Sequence, residues 1–395
     1  MNIALFFSDT NESTGGGFQY ELSIAKFLKN NLNKRYKLFY FCTSKTTQQI
    51  LNNYNLKTSY IKTNRFFNFL YKLNIFYNLR FIKRIANIIS PYDSFIKKNN
   101  VEMVYFLSPN HYAMYIDKCN IITTCWDICH RDNVEFPEIR ENYAFQLREI
   151  LFNTTYIKSY KVICDSDLTK NNLAKWYNVD KKRIKTIPLF KSINLEDKNN
   201  YKNNIKKFDK KNYLFYPGQL WSHKNHTYVI DALKILKEKH KFKINFYFCG
   251  SDKGNLKNIY DYAKKLGVDE QIKYLGFLSN HEIKNYYRSA FALVMPTYFG
   301  PSNYPPLEAF SFACPVIYNS FGSEDELFKK IIWKIDISKP TSLANTLIKM
   351  KKNKKEVNLK IDRGLKYFVS IDENKIKKSY ETIFRDFEII KKNWN

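Results

Sequence analysis

The sequence predicts an α/β protein made of two Rossmann-like domains. Three observations carry that expectation. Short apolar runs alternate with helical patterns along most of the chain, the alternation comes in two series, and a polar, weakly periodic stretch at 191–212 separates them. The first series has apolar runs at 3–7, 36–41, 103–106, 121–124 and 162–164, with a helical pattern at 18–29 after the first run. The second has runs at 213–216, 244–249, 272–275, 292–295, 315–318 and 333–335, with helical patterns at 227–239, 256–266 and 280–289 between them. Such alternation implies parallel sheets with helices on both faces. The expected division is 1–200, 201–375 and a closing helix at 376–395, whose pattern (374–392) suits packing back on the first domain.

Composition narrows the class. With 395 residues the chain is long enough for two full cores, and 17% aromatic residues against only 11 Gly and 11 Pro mark it as globular. No run reaches the ~18 apolar residues of a membrane helix. Residues 1–9 lack a basic start and meet Asp9 early, so they predict a first buried strand rather than a signal peptide. Seven scattered cysteines lack zinc-ribbon spacing and read as core thiols of a cytoplasmic protein, including Cys125 and Cys129 beside His130. The net charge of +28 attracts polyanions. Dominance of Lys, Asn, Ile, Tyr and Phe together points to AT-rich coding as one source of that charge.

Segment 61–100 stands apart, with aromatic and aliphatic residues interleaved with eight Lys/Arg against one acid, Asp93. Two readings are open: a basic, aromatic helix lying in an anionic membrane surface, or an amphipathic core helix with a solvated basic face.

Residues 296–316 are the most informative stretch. An apolar run enters a loop with Gly300, Pro301, Pro305 and Pro306; a helix is expected from Leu307, with Glu308 in its first turn, until Pro315 stops it. Backbone N–H groups at a helix start hold anions, and a glutamate among them suits hydroxyl acceptance. A nucleotide sugar offers both a diphosphate and ribose hydroxyls. The second series opens similarly: a strand ends at Tyr216, a turn follows, and Lys224 sits just before a helix, placed to neutralise phosphate. Alone, this segment reads as a surface lysine and two turn histidines. Paired with 296–316 in one domain, the functional reading prevails.

These two segments resemble the donor-binding signatures of glycosyltransferase family 4, retaining enzymes of the GT-B fold, in which two Rossmann-like domains face each other across a cleft. The family's Gly-Arg-Leu-x-x-x-Lys appears here as Gly218-Gln219-Leu220-x-x-x-Lys224, and its Pro-Pro-Leu-Glu-Ala is intact at Pro305–Ala309, with Gly300 where the family has an earlier glutamate. Residues 248–252 and 275–277 resemble further family segments, and 126–131 followed by 135–138 resemble a bacterial subgroup of the family. The resemblance implies that 201–375 binds the donor and 1–200 the acceptor. Lys224 would face the diphosphate, Glu308 would take the ribose hydroxyls, and Gly218, Gln219, Gly250, Ser302, Asn303, Tyr304 and Leu307 would line the donor, with Asn303 or a backbone group standing in for the glutamate replaced by Gly300. Gly16 and Gly17, in the loop Gly15–Gly17, would close over the phosphates. Asp127 and His130 would meet an acceptor hydroxyl or the transferred sugar, His130 assisting proton movement. The leaving phosphate can itself accept the acceptor's proton, so no protein nucleophile is required. No Asp-x-Asp occurs in the expected loop, so neither metal nor other cofactor is expected.

The expected activity is hexose transfer from a nucleotide sugar to a glycan or lipid-linked glycan acceptor for a surface polysaccharide such as O-antigen, capsule or lipooligosaccharide. It would act in the cytoplasm at the inner membrane face. Two rivals remain: an epimerase or hydrolase of the same fold, active without an acceptor, and a basic nucleic-acid-binding protein. No nucleic-acid module is visible, so no nucleic-acid partner is expected.

Overall fold

The computed structural model describes residues 1–9, 11, 15–77, 79–190, 211–300, 303–319 and 326–394. It forms two compact units: one of 1–135, 139–188 and 372–395, the other of 136–138 and 189–371. Most of the 191–212 separator expected from composition lies outside the described residues.

The first unit holds a seven-stranded sheet: β1 (Asn2–Phe6), β2 (Lys37–Cys42), β3 (Thr58–Tyr60), β4 (Met103–Phe106), β5 (Asn120–Cys125), β6 (Lys161–Cys164) and β7 (Ile184–Thr186). The second holds six strands: β8 (Tyr213–Pro217), β9 (Asn245–Cys249), β10 (Ile272–Tyr274), β11 (Ala292–Met295), β12 (Val316–Tyr318) and β13 (Trp333–Lys334). Their orders are β3-β2-β1-β4-β5-β6-β7 and β10-β9-β8-β11-β12-β13. Every pairing is parallel, as in Tyr216↔Phe248 and Leu293↔Val316. The second order is that of the doubly wound dinucleotide fold. The α/β expectation of two Rossmann-like units is met.

Strands covered on both faces must be apolar at every position. All four residues of β4 and of β11 are buried, which is why they stand out as unbroken runs. The two strands without such a run, β3 and β7, are sheet edges of three residues each, with polar Ser59 and Lys185 at their centres.

The helix Glu373–Lys391 belongs to the first unit, and Asp372 caps it by accepting from the Asn374 and Lys375 N–H groups. Its Ile376, Tyr380, Ile383, Phe384 and Phe387 are buried, at helical spacing, and each contributes ~1.5–3 kcal/mol on burial. Phe384 meets Tyr36 edge-on at 5.2 Å, and Phe387 meets Tyr160 at the same centroid distance.

Candidate functional site

In a doubly wound sheet, ligands bind where the strand order reverses, outside the carboxyl ends. In the second unit that point lies between β8 and β11. The loop after β8 runs through Gly218 to a short 3₁₀ turn, Ser222–Lys224, then Asn225 with φ 56°, then helix His226–His240. The loop after β11 begins at Pro296. The Tyr298 N–H ties the loops together by donating to the His223 carbonyl at 2.8 Å, and the Thr297 hydroxyl lies 3.3 Å from the same oxygen and 2.9 Å from the Phe299 carbonyl. Asn319, just past β12, donates to the Thr297 carbonyl at 2.7 Å. Segments far apart in sequence thus meet at the His223 carbonyl.

The loop after β9 joins the same cluster. The Gly218 N–H donates to the Cys249 carbonyl at 2.9 Å and the Leu220 N–H to the Ser251 carbonyl at 3.0 Å. Gly250 has φ +127°, and a Cβ there would lie 2.3 Å from the Gly218 carbonyl oxygen. Only glycine fits, because neighbouring backbone cannot retreat as a flexible side chain can. Gly250→Ala is therefore expected to destabilise the protein by ~2 kcal/mol or more in urea unfolding.

Helix Tyr304–Ser311 carries Glu308. Here the structure corrects the expected helix start. Asn303 occupies the N-cap position and Tyr304 is the first helical residue, so Glu308 sits in the second turn, not the first. Pro305 and Pro306 fill the next two positions, which suits their fixed φ but removes two backbone donors. Of the first three helical residues only Tyr304 has an N–H, so this helix start offers an anion less than the sequence pattern promised. The helix is held from behind by Lys354–Val369, where Gly364 allows close approach: a Cβ there would lie 2.7 Å from the Phe310 ring.

Glu308 accepts a 3.0 Å hydrogen bond from the buried Tyr287 hydroxyl. Burial pushes its carboxyl up to about 7, and the bond from Tyr287 only partly offsets this. Its charge also acts on Cys249 at the end of β9, which places it at the same strand ends as the Gly218 loop. A carboxyl so desolvated gains from new hydrogen-bond donors, which ribose hydroxyls would supply.

Gly300 explains its own departure from the family glutamate. Its φ of +108° is one that side-chain-bearing residues rarely adopt. The Asn303 Nδ2 donates to the Gly300 carbonyl at 2.8 Å and to the Tyr318 hydroxyl at 3.0 Å, stapling the turn. Tyr304 and Leu307 are buried in the helix, and Ser302 lies outside the described residues.

Lys224 is partly buried at the mouth of the β8 loop. Its carbonyl accepts from the Tyr216 hydroxyl at 3.2 Å, and its charge helps to depress the neighbouring His226. His226 is buried against Tyr216, and burial, then Lys224, brings its pKa down to about 3, so it is a neutral packing residue. Gln219 accepts from the Trp221 indole N–H at 2.7 Å. The Lys253 ammonium lies 5.3 Å from the centroid of the Trp221 ring system and brings a second cation to the edge of this loop. The sequence reading missed Lys253, since nothing local marks a loop lysine in so lysine-rich a chain.

It also missed Glu138. The segment Phe136–Glu138 groups with the second unit. There Glu138 accepts from the His223 backbone N–H at 3.0 Å and pairs with the imidazole Nδ1. His223 in turn stacks on Phe299 with centroids 3.9 Å apart. Burial raises the Glu138 carboxyl, but the bonds from His223 outweigh it and hold it below the usual carboxylate range. This clamp fixes the residue next to Lys224. Glu138→Ala leaves the His223 N–H and ring without their acceptor and is expected to cost ~1–3 kcal/mol, read as a lower urea midpoint.

The first unit carries the other sequence candidates. Gly15 (φ 71°) caps helix Gly16–Leu32, and a Cβ on Gly17 would lie 3.1 Å from the Trp126 indole, whereas one on Gly16 would meet nothing within 4 Å. The Asp127 side chain, 27% exposed, receives the Cys129 N–H at 3.2 Å and lies 3.4 Å from Arg148. Burial raises its carboxyl, yet Arg148 and Cys129 together hold it below its ordinary range. The carboxylate is therefore held ionised with part of its side chain at the surface. His130 is not reachable. Its side chain has no exposed surface, and Nε2 lies 2.8 Å from Glu149 Oε1 and 2.9 Å from the Tyr177 hydroxyl. Arg131 closes the network on Glu149. Burial lowers the His130 pKa despite Glu149. The proton-moving role expected for it is therefore corrected: this histidine packs the wall behind Asp127. All seven cysteines are free, and no group of three or more His, Cys, Asp or Glu among the described residues is arranged to hold a metal ion.

Residues 197–367 match the model of the family described as glycosyl transferases group 1. A protein of Methanocaldococcus jannaschii named as an uncharacterized glycosyltransferase is 29% identical over 183 residues, 45% of this chain and 46% of the relative. The O-antigen chain mannosyltransferase RfbU of Salmonella typhimurium is 30% identical over 156 residues, 40% of this chain and 41% of the relative. Both matches thus span less than half of the relative. The fold extends over the whole chain: the crystal structure of Anabaena HepE in complex with UDP and glucose aligns with a TM-score of 0.73 at 13% identity, covering 98% of this chain and all of that one.

Proposed function

We propose that the protein is a retaining glycosyltransferase that moves a hexose from a nucleotide sugar to a glycan or lipid-linked glycan acceptor, at the cytoplasmic face of a membrane and without metal or other cofactor. The observation that carries this reading is the shared His223 carbonyl, which sets the Lys224 loop and the loop leading to the Glu308 helix at one switch point. The group 1 match, RfbU's named activity and the UDP held by HepE support it.

In this reading the nucleoside lies over β8 and β9, with its ribose hydroxyls donating to Glu308. Gly218 and Gly250 keep the backbone close to it. Lys224, aided by Lys253, opposes the diphosphate. The bond from the anomeric carbon to the diphosphate oxygen breaks, the acceptor hydroxyl forms its bond to that carbon on the same face, and its proton passes to the departing phosphate oxygen. Negative charge builds on the leaving nucleoside diphosphate, where Lys224 is most useful. Asp127 of the first unit accepts from a sugar or acceptor hydroxyl.

The test is to incubate purified protein with a panel of nucleotide sugars, with and without lipid-linked glycan acceptors, and to read product and anomeric configuration by NMR. Acceptor-dependent transfer with retention is expected. Turnover of the donor sugar without any acceptor would instead indicate an epimerase or hydrolase.

A further inference from the structure

The side-chain exposures of the basic, aromatic segment bear on its two readings. An amphipathic core helix puts its aromatics inside and its lysines outside. Helices Arg65–Tyr77 and Arg80–Ile88 of the first unit do only half of that. Phe67, Leu70, Ile75, Ile82 and Ala86 are buried. Yet Phe66 is 58%, Phe69 57%, Phe81 63% and Ile88 75% exposed. On the second helix Phe81, Arg84, Ile85 and Ile88 follow i, i+3, i+4, i+7 spacing, so the outward face is itself an apolar stripe interrupted by a cation. Large contiguous apolar surface on a folded protein marks an interaction site.

We propose that this two-helix face seats the protein on an anionic lipid surface. Charge selects the occupant. Residues 61–100 carry eight Lys/Arg against the single acid Asp93, and Lys62, Arg65, Lys72 and Arg84 are exposed. A protein partner with a purely apolar face would gain nothing from those cations. An interface of acyl chains beneath anionic headgroups satisfies both features at one depth, with rings and Ile88 among the acyl chains and the basic stems reaching up to phosphate. No helix among the described residues is long and apolar enough to cross a membrane, so attachment through this face would be peripheral.

The proposal deepens the membrane-face placement above. It is tested with the full chain and no nucleotide sugar, so its failure is separate from failure of the transferase reading. Vesicles of phosphatidylglycerol and phosphatidylcholine are compared with phosphatidylcholine alone in co-sedimentation. Wild type is expected to partition ~10-fold or more in favour of the anionic vesicles. The combined variant Phe66→Ser, Phe69→Ser, Phe81→Ser, Ile88→Ser, with an unchanged circular dichroism spectrum and melting temperature, is expected to lose ~10-fold or more of that binding. Lys83→Glu, Arg84→Glu is expected to lose the lipid preference, and half-molar salt to weaken wild-type binding without abolishing it. Equal binding by the serine variant would show that the overall +28 charge alone acts, and would overturn the proposal. So would absence of wild-type binding, or a wild-type dimer that the serine variant converts to monomer without any effect of vesicles, since the face would then join two copies of the chain.

Discussion

Lys224→Ala is expected to lower transfer by ~10²-fold or more, mostly in kcat. Lys224 stands at the end of a 3₁₀ turn just before helix His226–His240, at the carboxyl end of β8. The turn is pinned by the Glu138–His223 pair and by the bond from Tyr298 to His223. Its neighbour in the loop, Gln219, is uncharged and bonded to Trp221, so in the proposed reading a donor diphosphate would draw its positive charge chiefly from this ammonium. Charge on the departing nucleoside diphosphate grows as the glycosidic bond breaks, and an opposing cation at a partly buried site acts more strongly than in water. The ground state is less affected, so the donor Kd is expected to change far less than kcat. Lys224→Arg keeps the charge in a different geometry and is expected to recover part of the rate. Steady-state kinetics with a nucleotide sugar and acceptor would check this, and a Lys224→Ala enzyme turning over at the wild-type rate would remove Lys224 from the chemistry.

Glu308→Ala is expected to be as severe, and Glu308 also makes a prediction about pH. With its pKa pushed up to about 7 by burial, the ligand-free carboxyl is half protonated near neutrality. Ribose hydroxyls donate best to the ionised form, so donor binding is expected to strengthen as pH rises from 6 to 8 and then level off. Binding should release a proton in that window, visible in calorimetry as an enthalpy that depends on the buffer. UDP-glucose is the suitable probe, since its diphosphate is a diester with no titration near neutrality. Glu308→Gln should abolish the pH step. Stability follows the same sign. The folded carboxyl holds its proton to a higher pH than the ordinary 4.5, so this group's contribution to stability is greatest below that value, declines as pH rises toward 7 and is level beyond it. Donor affinity that is flat with pH in wild type, or a step that persists in Glu308→Gln, would contradict the assignment.

Sequence alone went furthest where burial leaves a mark in composition. Strands inside parallel sheets must be apolar throughout, so β1, β4, β8, β9 and β11 could be read directly, and with them the two α/β series. Edge strands β3 and β7 carry no such mark, because one side of an edge faces solvent. Local chemistry also placed Lys224 and Glu308 at loop-to-helix and loop–helix positions after strands. What it could not supply was any fact that depends on two distant segments meeting.

Only the tertiary structure showed that the Tyr298 N–H meets the His223 carbonyl, that Phe136–Glu138 belongs to the second unit, and that the Asn303 Nδ2 staples its own turn. His130 looked poised beside Asp127 in sequence, yet one faces a buried carboxylate network and the other keeps contact with solvent. Asp127 precedes the short helix Cys129–Asp132 and His130 lies within it, so their side chains take different directions, and a motif does not record which. The same holds at 65–88, where the pattern showed that the helices are amphipathic but not that their outward face is apolar too. Periodicity tells which residues share a face; what covers that face is set by the rest of the fold.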